Sequence, residues 1–125
     1  MNSPSLMQLD DRARVLTQAV AIAAQKLRVN SGELGEILGF SQPTSSRLLN
    51  QKYQLKEGSK EWEISAYFIR LYRSLFSIVG DEETAIKWMT SRNEAFNQEA
   101  PINYIKRIDG LIYACEYLDA HRATV

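Results

Sequence analysis

Apolar residues recur at steps of three and four along the whole chain, and nowhere do β-branched residues alternate with polar ones as a half-buried strand requires. Between Asp10 and Arg28, the positions Leu16, Val20, Ala23 and Leu27 fall on one face of a first helix. Asp10 and Asp11 are expected at its start, where carboxylates suit the positive end of the helix dipole. Asn30 and Glu33 have the spacing of a capping box for a second helix, whose inward face is Leu34, Ile37 and Leu38 and which Gly39 ends. Ser41 caps a third, with Pro43 in its first turn and Leu48 and Leu49 as anchor, ending near Asn50. The polar, aperiodic stretch from Gln51 to Lys60 reads as a connection, so two units are expected, residues 1–60 and 61–125.

Beyond the connection a long helix from about Glu61 to Val79 carries Phe68, Ile69, Tyr72, Phe76 and Val79 on one side and Ile64, Tyr67, Leu71, Leu75 and Ile78 on the other. Only Glu63, Arg70, Arg73, Ser74 and Ser77 form a polar strip, so this helix needs cover on more than one side. A second copy of the chain, in a homodimer, is one source of that cover; burial at the centre of a monomer is the other. Gly80 ends the helix, Asp81 caps the next, and Glu82 and Glu83 precede Ala85, Ile86, Trp88 and Met89. Ser91 to Ala100 is expected to be a polar loop, and Pro101 to start a short helix through Ile102, Ile105 and Ile108. A last helix from about Asp109 and Gly110 runs through Leu111, Ala114, Cys115 and Leu118, with a loose end from Ala120 to Val125.

Composition changes this picture little. Of 125 residues, 45% are apolar and 24% charged, the balance of a folded domain. No apolar run approaches the roughly 18 residues that cross a bilayer, and the start lacks a signal-peptide pattern, so a cytoplasmic protein without a membrane partner is expected. One cysteine and one histidine permit neither an intrachain disulfide nor a metal cluster nor a histidine-based triad, and no glycine-rich phosphate loop is present. No catalytic residue, metal, cofactor or small-molecule substrate is therefore expected. Cys115 fits a buried thiol. The zero net charge hides an asymmetry: residues 1–60 carry eight Lys/Arg against five Asp/Glu, and residues 61–125 seven against ten. The basic half suits a polyanion.

The run SGELGEILGFSQPTSSRLLNQK has the layout of a helix-turn-helix. Gly35 puts almost no side chain where the two helices cross, Gly39 allows the turn, and Leu34, Leu38, Leu48 and Leu49 hold the pair together. Ser45 stands where such motifs bury an aliphatic residue, so looser packing is expected there. The outward positions of the third helix are Gln42, Thr44, Ser46, Arg47 and Asn50. Gln, Asn and Arg are the side chains that pair bidentately with adenine or guanine edges in the major groove. Ser41 and Thr44 suit phosphates, and Lys52, Lys56 and Lys60 extend the positive surface toward the DNA backbone.

This segment, from Asn30 to Lys52, resembles the Xre-type, lambda-repressor-like helix-turn-helix of bacterial regulators. In the second half, the spacing of Trp88, Asn93, Pro101 and Gly110 resembles the C-terminal domain of the Xre/ParS/MbcA-type antitoxins. Asn97 stands where that family favours glycine. The resemblance implies an all-α fold, with an N-terminal lambda-repressor-like bundle, a dimerising long helix and a small C-terminal helical domain. It also implies a type II antitoxin that dimerises, represses its own operon through operator DNA, and neutralises a RES-domain, NAD-consuming toxin by pressing its C-terminal end against the toxin's substrate entrance. Tyr113, Glu116, Tyr117 and Asp119, an acidic and aromatic set that DNA would repel, are candidate toxin contacts, and Arg122 is a further one that suits a toxin carboxylate, its alternative being a solvated terminal arginine. The alternative is a helix-turn-helix transcriptional regulator of the same fold without a toxin partner.

Overall fold

The computed structural model describes residues 6–123, with side chains from Asp11 to Arg122. Among these residues the chain forms seven α-helices and no strand: α1 (Leu6–Lys26), α2 (Ser31–Leu38), α3 (Gln42–Leu49), α4 (Lys60–Val79), α5 (Glu82–Thr90), α6 (Pro101–Tyr104) and α7 (Ile108–Ala123). A 3-10 turn, Glu94–Phe96, lies between α5 and α6.

Local chemistry accounts for most of the boundaries. At α2, Asn30 Oδ1 accepts the Glu33 amide at 2.8 Å while the Asn30 amide donates to Glu33 Oε1 at 3.0 Å, the reciprocal box expected from the spacing. Gly39 ends this helix at a φ of 89°, where a side chain is strained, and its amide donates to the Gly35 carbonyl at 2.8 Å. Ser41 accepts the Thr44 amide at 3.4 Å to cap α3, and Asp81 accepts that of Thr84 at 2.8 Å to cap α5. Ser59, read in sequence as part of the connection, caps α4 by accepting the Trp62 amide at 3.1 Å. At α1 the expectation fails: the helix begins at Leu6, so Asp10 and Asp11 lie beyond its first turn. Asp11 pairs with Arg14 at 3.1 Å instead.

Helix α4 is the axis of the molecule. It packs against α1 and α2 on one side, α7 on another and α5 near its end, and its Phe68, Leu71 and Leu75 are fully buried. Much of the cover it needs thus comes from within the chain. The polar strip is not solvated throughout either: Ser74 is fully buried, because α7 brings Asp119 against it.

Three stretches expected to be irregular are tied down. In the connection after α3, Leu55 is buried and its amide donates to Thr17 Oγ1 at 2.9 Å, while the Thr17 hydroxyl donates to the Ala13 carbonyl at 2.7 Å. The connection is thereby pinned to α1. The loop from Ser91 to Ala100 places Phe96 in the core with no exposed surface. The end is not loose as far as Ala123: α7 continues to that residue, with His121 Nδ1 2.8 Å from the Tyr117 carbonyl. The last two residues lie outside the described part. The helix that Pro101 starts is shorter than expected, stopping at Tyr104, and Ile108 belongs to α7.

Candidate nucleic-acid and partner interfaces

Helices α2 and α3 cross at Gly35. A Cβ there would lie 2.6 Å from the Phe40 carbonyl oxygen and 3.0 Å from Ser45 Oγ, so only glycine fits. Ser45 is fully buried against it, which overturns the looser packing expected at this position. The small residue is needed because the backbones approach closely. Its hydroxyl finds no hydrogen-bond partner among the described residues.

With Ser45 and Leu48 facing inward, the opposite side of α3 is open. Gln42, Ser46 and Asn50 form one row at four-residue spacing, with Arg47 beside it; Gln42, Arg47 and Asn50 are exposed and Ser46 half-buried. Local bonds already orient these groups. Gln42 Nε2 donates to Ser31 Oγ at 2.7 Å, linking the N-terminal ends of α3 and α2. Thr44 Oγ1 is half-buried and accepts from Ser41 at 3.1 Å and from the Arg47 guanidinium at 3.3 Å. Asn50 Nδ2 donates to the Ser46 carbonyl at 2.9 Å. All are exposed, near-surface bonds that a base edge or phosphate can replace.

Lys52 is exposed just past α3 and shares a polar cleft with Arg14 and Gln18 of α1 and with Tyr53. Lys60 is elsewhere, lining a cleft with Glu36, Ile37 and Lys106. Ser31, Arg14 and Gln18 were not legible as members of this surface, because they reach it only through the α2–α3 turn and the Thr17–Leu55 tether.

The five C-terminal candidates divide between two edges of α7. Tyr113 and Tyr117 join a cluster around the buried Phe96, whose ring lies 5.3–5.4 Å from those of Trp88, Tyr104, Tyr113 and Tyr117. The Tyr113 hydroxyl donates to the Ala95 carbonyl at 2.7 Å. Glu116 is exposed. Asp119 and Arg122 turn toward α4: Asp119 accepts from Ser74 Oγ at 2.6 Å and from Arg70 Nε at 2.8 Å, and Arg122 donates to Ser74 Oγ at 3.4 Å. The Ser74 hydroxyl and the Arg70 guanidinium hold the Asp119 carboxyl below its usual range, and the same contact holds Arg70 above its own. Asp119 is therefore already satisfied within the chain. Cys115 is buried, its thiol donating to the Tyr67 carbonyl at 3.2 Å and pushed up to about 11 by burial, so no thiolate forms near neutrality.

Backbone shape explains the rest of the second-half pattern. Asn93 accepts the Ala95 amide at 2.9 Å, and Asn97 takes a φ of 57°, the left-handed region where glycine is easiest and asparagine next. At Gly110 a Cβ would stand 2.0 Å from the Tyr104 carbonyl oxygen.

Among the described residues no helix is long and apolar enough to cross a membrane, and no group of His, Cys, Asp and Glu is placed to hold a metal ion. Two protein families match the chain. Residues 8–70 match the antitoxin Xre-like helix-turn-helix domain, and residues 74–123 match the antitoxin Xre/MbcA/ParS C-terminal toxin-binding domain. The two matches abut inside α4. Comparison with curated proteins gives no match.

Proposed function

The chain belongs to the family of antitoxins with an Xre-like helix-turn-helix domain, and from that premise we propose that it neutralises a RES-domain, NAD-consuming toxin by occluding its active site and, as a homodimer, represses its own operon. A type II antitoxin that binds DNA is what the two domains together make. The chain has no reaction of its own in this scheme, and it acts in the cytoplasm, where its DNA and its toxin are. The observation that carries the reading is the succession of an exposed, pre-oriented polar row on α3 and a toxin-binding domain joined to it through one continuous helix, α4.

Division of labour follows the two halves. Residues 1–60 hold the DNA contacts: Gln42, Ser46, Arg47 and Asn50 toward base edges, Ser41, Thr44 and Lys52 toward phosphates. Residues 61–125 hold the toxin contacts, and their long helix α4 takes part in the dimer. Tyr113, Glu116 and Tyr117 offer an exposed to half-buried surface, and the last turn of α7, with Arg122, supplies the end that reaches the toxin. Occlusion needs buried area and a rigid support, which the aromatic cluster behind Tyr113 provides.

Both halves have a direct test. In operator binding at fixed salt, Arg47→Ala is expected to cost about 1–3 kcal/mol, while Lys52→Ala weakens all DNA alike and makes the salt slope shallower by about one unit. Unchanged affinity in Arg47→Ala removes α3 from the major groove. For the toxin, full-length protein is expected to protect cells that express it, and a truncation ending at Asp119 to lose both protection and co-purification. A truncation that still protects moves neutralisation away from the end of α7.

A further inference from the structure

Four large apolar side chains stand more than a third exposed among the described residues, and they fall into two groups. Ile108 and Tyr113 sit on α7, in the half assigned above to the toxin. Val15, 56% exposed, and Ile22, 49%, sit on α1 and belong to no interface yet described. With Ala19 they occupy positions i, i+4 and i+7 of one helical face. That face borders an open groove of about 510 Å³ between α1 and α4, floored by Leu16, Trp62, Ala66 and Ile69.

The ends of this groove differ in charge. Helices α1 and α4 run parallel: Arg12 pairs with Glu57 at 3.0 Å, just before the start of α4, and Lys26 pairs with Glu82 at 3.2 Å, beyond its end. Asp11 therefore marks one end of the groove, beside an Arg12 whose charge Glu57 already balances, and Arg73 marks the other. Arg73 is exposed and forms no ion pair among the described residues. Among the described residues Asp11 is held by Arg14 alone, one turn on, with both side chains more than half exposed, a pair that is easily exchanged.

We propose that the groove seats the same groove of a second copy across a two-fold axis, so that Asp11 of each chain faces Arg73 of the other and the Val15–Ile22 faces close over the apolar floor. The proposal rests on the homodimer of the preceding reading and assigns it a surface. Two observations single out a second copy. The groove is self-complementary under a two-fold rotation, since apolar meets apolar while the acidic end meets the basic end. It also lies next to the DNA face: one step around α1 from Val15 and Ile22 are Arg14 and Gln18, which share a cleft with Lys52 beside α3. A dimer closed through this face keeps each copy's Lys52 cleft beside the contact, so the two DNA faces flank one axis, as a palindromic operator requires.

Sedimentation equilibrium on the purified full chain, without DNA or toxin, tests this. Wild-type protein is expected to be a dimer at micromolar concentration, and Val15→Asp to raise the dimer Kd by roughly thirtyfold or more. Asp11→Arg and Arg73→Asp each place like charges together twice per dimer and are expected to weaken it roughly tenfold, whereas the double variant returns to within about threefold of wild type. All three positions are exposed, so far-UV circular dichroism should not change in any variant. Kd values unaffected by Val15→Asp overturn this surface and leave the dimer standing elsewhere. Failure of the double variant to recover overturns the two-fold register. A wild-type chain that stays monomeric at every concentration overturns the dimer and its surface together. If Val15→Asp then loses toxin in co-purification, the groove belongs to the toxin.

Discussion

Replacing Gly110 with alanine is expected to destabilise the protein by roughly 2–3 kcal/mol and to lower Tm by about 10 °C. Two effects of opposite sign meet at this position. Gly110 lies inside α7, where alanine is intrinsically favoured over glycine by about 0.8–1 kcal/mol. Against that, the added Cβ would stand 2.0 Å from the Tyr104 carbonyl oxygen and 3.0 Å from Cδ1 of the same residue. The ring can turn aside, but the carbonyl belongs to the backbone of α6 and moves only if α6 moves. Overpacking of this kind outweighs helix propensity, so the sign is set by the neighbour. Gly32→Ala in α2 is the matching control, because the nearest atom there is Asn30 Oδ1 at 3.4 Å, and it is expected to be neutral or to stabilise by a few tenths of a kcal/mol. Equal thermal shifts in the two variants would show that the approach of α6 to α7 is not what requires glycine.

The contrast between these two glycines illustrates what the sequence discloses. Features written in neighbouring residues were legible: the Asn30–Glu33 box, the left-handed turn at Gly39, the small residue at Gly35 and the outward row Gln42, Ser46, Asn50 all follow from local geometry and helical spacing. Asn97, which the sequence showed only as a departure from the family's glycine, takes a positive φ, where asparagine is the residue that best replaces glycine. Ser59 had a readable signal, a hydroxyl directly before an apolar periodic run, but the polar stretch around it masked the cap.

What stayed hidden depends on contacts distant in sequence. Leu55 and Phe96 are single apolar residues in polar, aperiodic stretches, and periodicity has no purchase on one residue; only α1 and the aromatic cluster give them a place in the core. Ser74 reads as part of a solvated strip until Asp119, 45 residues later, supplies the partner that makes its burial tolerable. The C-terminal candidates share a helix, yet sequence proximity did not show that Tyr113 and Tyr117 face the Phe96 cluster while Asp119 and Arg122 face α4. The continuation of α7 to Ala123 was equally hidden. It carries no periodic apolar residue after Leu118, and is held by the tilted ring contact of Tyr117 and His121, 4.2 Å between centroids, and by the Arg122–Ser74 bond.

The second large effect is expected at Phe96. Truncation to alanine should cost about 3–5 kcal/mol, since the ring is fully buried and its loss leaves a cavity walled by four aromatic side chains. That is a large share of the roughly 5–15 kcal/mol that holds a domain together, so the variant should unfold at a much lower urea midpoint. Leucine at this position keeps most of the apolar contact but none of the ring geometry. The edge-on pairs with Trp88, Tyr113 and Tyr117, at interplanar angles of 84°, 72° and 68°, and the stacked pair with Tyr104, at 14°, would all be lost. Such pairs contribute about 0.5–1.5 kcal/mol each beyond burial when measured singly, and they are not additive around one ring. Phe96→Leu is therefore expected to fall between wild type and Phe96→Ala in urea denaturation. It should also reduce the near-ultraviolet circular dichroism of the surrounding tyrosines while leaving the far-ultraviolet signal intact. Because Tyr113 is positioned both by this ring and by its bond to the Ala95 carbonyl, the leucine variant should also bind toxin less tightly without unfolding. If Phe96→Leu is indistinguishable from wild type in stability and near-ultraviolet signal, the residue acts as apolar filling only, and the rigidity ascribed to the Tyr113 surface has another source.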